Sequence, residues 1–422
     1  MKNHNQSFGS NQPSLHIVKD IYAQIRETVA QQMRGSALAL VQGLFAEEVA
    51  GLCGAAYSRK GTRLFHRGGS DPGTILFGGQ RLAVKKLRMK DDREDVELKT
   101  YTALQHYDLL CDKVMKHMVR GVSTRDYDGL IDEIEGGLGL SKSSVSRAFV
   151  RGSKQALDEI NGRDLNPYEF ISIMIDGIEF GDRTVIAVMG IIKSKDKNPL
   201  QMGEKLILGL REGDTENSEV VKDLLQSLID RGLDPTLPYL FVLDGSKALK
   251  KGIRKVFGEK SPIQRCVRHK ERNITKYLAH GHHLEFYRLW KRLHGMADYD
   301  DAVKEHEKLR LWLLQRNQAA AASLEEAEME TLTVIQLKVP SMLRTTLLST
   351  NPLESMFSIV DTKKDRVKNW KCGDQERQVS RWAATTLLEA EKRVHKIKGY
   401  RDIVILDAEL KKLVIENESQ VA

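Results

Sequence analysis

Between Glu169 and Cys266 the chain carries a run of apolar, β-branched segments with the lengths of buried strands. Phe170 to Ile178 and Val185 to Ile192 are close to continuous apolar runs, the pattern of a strand covered on both faces. Lys205 to Leu210, Tyr239 to Leu243 and Pro262 to Cys266 supply three shorter candidates. Asn217 to Arg231 and Gly245 to Val256 read as helices between them. The order βββαβαβ predicts an α/β fold in which helices cover a mixed sheet.

The rest of the chain lacks this signal. A single core seldom grows past about 250–300 residues, so 422 residues predict several domains. Residues 1–14 are polar, and from Leu15 to about Ala56 apolar residues recur at helical spacing. Residues 1–60 therefore form an N-terminal helical, dimerisation segment. Residues 61–93 read as a basic β-hairpin, with Thr74 to Phe77 and Arg81 to Leu87 flanking Gly78-Gly79. Residues 94–165 read as helices broken at Gly136-Gly137-Leu138-Gly139. Ser141 then caps a helix that opens Lys142, Ser143, Ser144, Val145, Ser146, Arg147, the pattern of a helix-turn-helix. Residues 166–280 form the first part of the sheet-bearing core. Residues 281–345 are an all-helical insertion with an acidic knot at Glu325, Glu326, Glu328 and Glu330. Residues 346–370 complete the core, and 371–422 are basic and helical.

Charge points to a polyanion more through distribution than through total. The 66 basic and 58 acidic residues leave a net charge of only +8. Arg81 to Arg93, however, holds six basic and two acidic residues, and Thr362 to Asp402 holds twelve and six. Such clusters suit DNA, with affinity that falls as salt rises. Lys85, Lys86 and Arg88 in the hairpin, Lys142, Ser143 and Arg147 in the helix-turn-helix, and Lys363, Lys364, Arg366 and Lys368 near the C-terminus are the candidate contacts. The four cysteines are widely separated, which fits a reducing cytoplasm better than a disulfide framework. The longest apolar run, Thr184 to Ile192, is too short to span a bilayer. No membrane association is expected.

Two acids stand out. Asp176 and Asp244 each follow an apolar strand and precede glycine. A carboxylate there resists ionisation unless a cation compensates it. On neighbouring strands the two would lie roughly 5–10 Å apart, a distance suited to hard cations with oxygen ligands. An Asp-Gly turn is the plainer alternative for either alone. In Ser349-Thr350-Asn351-Pro352-Leu353-Glu354, Thr350 or Asn351 opens a helix with Pro352 near its first position. Glu354 by itself is best explained as a capping-box glutamate.

Taken together, the motifs resemble those of the IS256 and Mutator-like transposases. Thr350-Asn351-x-x-Glu354-Ser355 is similar to that family's third-acid motif. Asp176-Gly177 and Asp244-Gly245 fall where the first and second acids lie. Cys266-Val-Arg-His269 resembles a Cys/Asp-x-x-His signature. Val367-Lys-Asn-Trp370, Arg381-Trp382, Leu387 to Lys392 and Gly399-Tyr400-Arg401 resemble the C-terminal signature. The likeness runs from about residue 60 to 405. It implies an RNase H-like core with a helical insertion between the second acid and the third. The separations of 68 and 110 residues leave room for one. Relatives often carry a basic residue about two turns after the glutamate, where this chain has Asp361, with Lys363 and Lys364 beyond.

The resemblance further implies a DDE transposase of a bacterial insertion sequence, acting near the nucleoid on double-stranded DNA with terminal inverted repeats. Two Mg²⁺ (or Mn²⁺) ions, held by Asp176, Asp244 and Glu354, would drive strand cleavage and transfer. A homodimer is expected because two ends must meet. Cys266 and His269 would support the active site; half of a zinc site, completed from His280, His282 and His283, is an alternative. Trp290 and Trp312 are candidates for stacking on a flipped base, with helix packing as their plainer role. Two rival readings remain, an RNase H-like nuclease or resolvase and a non-catalytic DNA-binding regulator.

Overall fold

The computed structural model describes residues 15–54, 65–77, 80–91, 94–106, 142–195, 201–213, 217–364, 370 and 377–421. The chain divides into two compact units at Gly152/Ser153.

In the first unit, helix α1 (Leu15–Cys53) is followed by strands β1 (His66–Phe77), β2 (Gln80–Lys90) and β3 (Asp95–Val96), then helix α2 (Lys99–His106). The strands form an antiparallel sheet in that order. The hairpin is longer than its apolar residues indicate. Arg67 to Gly73 belongs to β1, and the register shifts between Arg67 and Ser70, beside Gly69 at φ +85°. Glycine accommodates that bulge without steric cost. Residues 95–96 are strand where helix was expected. Pairing runs to Phe77↔Gln80; Gly78-Gly79 lies outside the described residues.

One core joins helix and hairpin. Val41, Phe45, Val49 and Cys53 from α1 pack with Ile75, Val84, Met89, Leu98 and Tyr101. Their spacing of four places them on one face of α1. Glu48 accepts hydrogen bonds from the backbone N–H groups of Lys99 (2.8 Å) and Thr100 (3.0 Å), so α1 caps α2. Within α1, Glu27–Cys53 is long and apolar enough to cross a bilayer by length and composition. A search for unbroken apolar runs passes over it, because Arg34, Glu47 and Glu48 interrupt it. Val41, Phe45, Val49 and Cys53 of this stretch are buried against the hairpin, and 22 % of its most apolar window is buried in all.

The unit boundary falls within α3 (Lys142–Gly162). The second unit then runs β4 (Tyr168–Phe180), β5 (Arg183–Lys195), β6 (Lys205–Glu212), α4 (Ser218–Asp230), β7 (Leu240–Leu243), α5 (Lys247–Phe257) and β8 (Ile263–Arg265). The expected βββαβαβ order is observed. The sheet order is β6-β5-β4-β7-β8. β5 is antiparallel to both β4 and β6, whereas β7 and β8 run parallel to β4. A mixed sheet with helices is thus the fold.

After β8 the described chain is helical: α6 (Val267–Thr275), α7 (His283–Gly295), α8 (Tyr299–Leu314), α9 (Gln318–Glu325), α10 (Thr333–Gln336), α11 (Ser341–Leu347), α12 (Asn351–Lys364), α13 (Gln378–Arg393) and α14 (Ile403–Val421). Alternation along β4 sends Ile173 and Ile175 into a core with Leu224, Leu228, Leu249 and Ile253 of α4 and α5. Met174 and Asp176 therefore face the opposite side, where α12 packs on β4 and α13 on β5 and β6. Helices α6 to α9 bury a separate core around Phe286, Trp290, Leu309 and Leu313.

Candidate active site

Asp176 is not at the end of its strand. β4 continues to Phe180, and Asp176 pairs with Ala187 of β5. What ends here is the neighbour: the parallel ladder stops at Ile175↔Leu243. Asp176 and Asp244 are the next residues on adjacent strands, about one strand spacing apart, 4.8 Å. Asp176 is 5 % exposed. Its carboxylate accepts the Gly177 N–H at 2.9 Å, and that of Asp244 accepts the Ser246 N–H at 3.0 Å.

Gly245 has φ +118°, and a Cβ there would lie 1.8 Å from Nη1 of Arg265. The Asp-Gly pair is thus a place where a guanidinium crosses the backbone, beyond the requirements of a turn. Arg265 is held there by Glu326 at 2.6 Å.

Glu354 comes from α12 and is not a capping-box residue. Its N–H, like that of Leu353, bonds to the Thr350 carbonyl, so Thr350 is the cap and Glu354 lies one full turn inside. The Glu354 carboxylate turns toward α6, 3.6 Å from His269 Nε2 and 3.6 Å from Arg272 Nη2. The Thr350 hydroxyl lies 3.3 Å from Glu354 Oε1 and 3.4 Å from Cys266 Sγ, and its proximity draws the Asp176 carboxyl down. With one proton to give, it serves these acceptors one at a time.

Cys266 sits at the start of α6 because its N–H extends the β7–β8 ladder to Leu243 O (2.8 Å). One turn later, His269 falls over the acids. The donor atoms of Cys266, His269 and Glu354 all lie within 4.8 Å of one another. The third donor beside the Cys/His pair is therefore Glu354. His283 bonds to Leu278 O, and His282 stands edge-on to Trp312.

Burial, followed by the repulsion of Asp244, pushes the Asp176 carboxyl up to about 6, against the pull of His269 and of the Thr350 and Gly177 hydrogen bonds. His269 rises to about 9, chiefly through hydrogen bonding with Cys266 and against its own burial, helped by the charges of Asp176, Cys266 and Glu354. For Cys266, burial acts upward, but His269 and Thr350 outweigh it and the thiol moves down.

The other expected contacts scatter. Lys85 is exposed on β2, while Lys86 lies over the Tyr101 ring at 4.8 Å. Arg88 pairs with Asp95 (2.6 Å) and Asp71 (3.4 Å). Arg147 is exposed on α3. Helix α3 includes Lys142 and Ser143, whose side chains lie outside the described residues, as do Lys363, Arg366, Lys368 and most of the expected helix-turn-helix. Lys364 bonds to Glu179 O (2.7 Å) and pairs with Asp361 (2.7 Å). Trp290 is 2 % exposed, inside the helical core, and Arg316 covers one face of Trp312 at 3.8 Å. Packing thus accounts for Trp290.

Sequence reading missed Thr350, Arg265 and Arg272. Thr350 stood in the quoted motif as a cap. Arg272 stands three residues after His269, hence on the same helical face, a spacing that offered the available clue.

Two acids, one on β4 and one just past the end of β7, lie beside His269, which also faces Glu354 on the covering helix, so the mixed sheet carries an acid-rich site. The model of the family "Transposase, Mutator family" matches residues 12–373, and the chain belongs to the Mutator family of transposases. It is 27 % identical over 270 residues to the transposase for insertion sequence element IS1201 of Lactobacillus helveticus, covering 61 % of this chain and 68 % of that protein.

Proposed function

We propose that this chain is the transposase of an insertion sequence, and that Asp176, Asp244 and Glu354 are its catalytic acids within an RNase H-like core. The observation that carries this reading is the adjacency of Asp176 and Asp244 at the end of the β4–β7 ladder, with Glu354 on the covering helix 3.6 Å from His269. The sheet order, with the all-helical segment between β8 and α12, supports the same core.

The residues fit a hard divalent cation. A 5 % exposed carboxylate raised to about 6, beside a second carboxylate, is a local deficit of positive charge. Oxygen donors suit Mg²⁺ or Mn²⁺. Asp176, Asp244 and Glu354 would hold the ions. When bound, they supply a more acidic attacking water or 3′-hydroxyl and charge stabilisation at the phosphate.

The chain's own groups prepare that site. Burial by β5 and α12 keeps water from Asp176. The Gly177 and Ser246 N–H groups fix the two aspartates. The Thr350 hydroxyl holds Glu354. A protonated His269 neutralises part of the acid charge and can donate a hydrogen bond to a phosphate oxygen. Arg272, 59 % exposed, presents a guanidinium at the rim, suited to a phosphodiester. The DNA is double-stranded, with terminal inverted repeats recognised by the first unit, and a homodimer brings two ends together.

The test is a Mg²⁺- or Mn²⁺-dependent cleavage and joining assay on DNA carrying the repeats that flank the gene. Asp244→Asn should abolish both steps while leaving DNA binding intact. Unchanged joining would remove Asp244 from the mechanism. Cleavage without joining would favour a nuclease.

A further inference from the structure

The second unit contains a cavity of about 410 Å³ that is separate from the acid cluster. It is lined by Tyr168 at the start of β4, Gln201 and Lys205 before and at the start of β6, Lys392 in the last turn of α13, and His395 and Lys396 just beyond it. Tyr168 and Asp176 share one strand, eight residues apart, so the cavity lies roughly 26 Å from the acids at the other end of the sheet.

Its walls are tied together. Ile397 N–H donates to Gly203 O at 2.9 Å. Gly203 has φ +82°, and a Cβ there would lie 2.3 Å from Tyr400 Cβ, so the two connectors meet closely. Glu391 fixes α13 to the sheet by accepting the Ile207 N–H (2.7 Å) and pairing with Arg163 (3.0 Å), which also neutralises its charge.

The remaining charge is mainly positive. Among the described contacts Lys205 and Lys392 have no carboxylate partner, and burial pushes the Lys205 ammonium down. Glu204 is the opposing acid. Gln201 Oε1 is buried without a hydrogen-bond partner, a cost that a bound molecule would relieve. An amide flip would offer a donor at the same place. Tyr168, Ile192, Leu206 and Val394 supply an apolar wall. The volume suits a small molecule.

We propose that this cavity binds a nucleotide, with its phosphate on Lys205 and Lys392 and its base against the Tyr168 wall. The nucleotide comes either from a DNA strand or from the free pool, and the chemistry is shared. The full chain, in EDTA so that no ion bridges phosphate to the acid cluster, is titrated with dAMP and separately with duplex DNA. Lys205→Gln and Lys392→Gln are compared with the native chain and with Asp244→Asn. Saturable dAMP binding that weakens about tenfold in Lys205→Gln, and persists in Asp244→Asn, supports the free source. Absent dAMP binding, together with DNA binding whose salt dependence drops by about one ion per lysine replaced, supports the DNA source. If dAMP fails to bind and DNA binding is unaltered in both lysine variants, the proposal is overturned. Because Asp244→Asn keeps the cavity, its behaviour separates this site from the acid cluster.

Discussion

The acids at 325–330 and the group Asp176, Asp244 and Glu354 are both concentrations of negative charge, but they are compensated differently. Glu326 contacts Lys270 and Arg265, each at 2.6 Å; Glu330 pairs with Lys250 at 2.7 Å; Glu325 pairs with Arg310 at 2.9 Å. Burial alone would raise Glu326, yet its lysine and arginine bring it below its ordinary value. In the other group the nearest cations to Glu354 among the described residues stand at 3.6 Å, and Asp176 is raised. The first set latches the helical segment to β8. The second is incompletely neutralised, and that residual deficit is what a divalent ion would fill. A dense run of acids in sequence is therefore a poor marker of a metal site. Carboxylates gathered from distant segments, with too few cations, are a better one.

The largest expected effect separates the two clusters. Glu354→Gln should lower strand cleavage by at least about a hundredfold, the scale on which positioned charge acts at a transition state, and leave the melting temperature nearly unchanged. Glu326→Gln should do the reverse. Activity measured per folded molecule, beside thermal unfolding, distinguishes them. Loss of activity in a folded Glu326→Gln protein would collapse the distinction.

How much of this was legible depended on whether the cue was local. The βββαβαβ order followed from apolar periodicity, and all three acids were marked. Their geometry was not legible. Asp176 reads as a strand end because Gly177 follows it, yet β4 continues; only the register with β7 shows that the neighbouring strand stops there. Glu354 reads as a cap because Asn351 precedes it at the capping-box offset, while the chain uses the Thr350 carbonyl. Arg265 could not be linked to Gly245, because one lies on β8 and the other in the connection after β7. The length of the hairpin was hidden by Gly68, Gly69 and Pro72, residues that normally end strands but here sit at or near a bulge.

Stability should respond next at the latch. Glu326→Ala leaves Arg265 and Lys270, 6 % and 3 % exposed at their side chains, without their shortest partner. Removing one member of a fully buried pair costs about 3–5 kcal/mol; Glu326 is 41 % exposed, so about 2 kcal/mol is expected. Denaturant unfolding checks this. A loss under about 0.5 kcal/mol, the scale of an ordinary surface substitution, would mean the latch is ornamental.

A smaller effect is the response of the acid cluster to pH. Asp176 has a folded pKa of about 6 against an ordinary 3.8, so its contribution in metal-free protein is greatest below 3.8 and is lost as pH rises through 6. His269 is raised from 6.5 to about 9, so its contribution is present below 6.5 and lost as pH rises through 9. Melting temperature without metal should therefore decline from pH 6.5 to 9, and His269→Gln should flatten that decline. Mn²⁺ competes with the Asp176 proton, so its affinity should rise with pH through about 6. A pH-independent Mn²⁺ affinity would place the ion elsewhere.

The smallest effect is expected at Glu325. Its partner Arg310 also holds Glu307 at 2.7 Å, so replacing Glu325 leaves that guanidinium paired. The Glu325 side chain is 50 % exposed, and water screens what the pair loses. Glu325→Gln should therefore leave both melting temperature and strand cleavage within error, although it lies one residue from Glu326. A measurable loss of stability would show that the acidic knot acts as one coupled network. The geometry instead assigns the latch to Glu326, whose cations Arg265 and Lys270 are buried, and to Glu330, itself 12 % exposed, and leaves Glu325 as solvated charge.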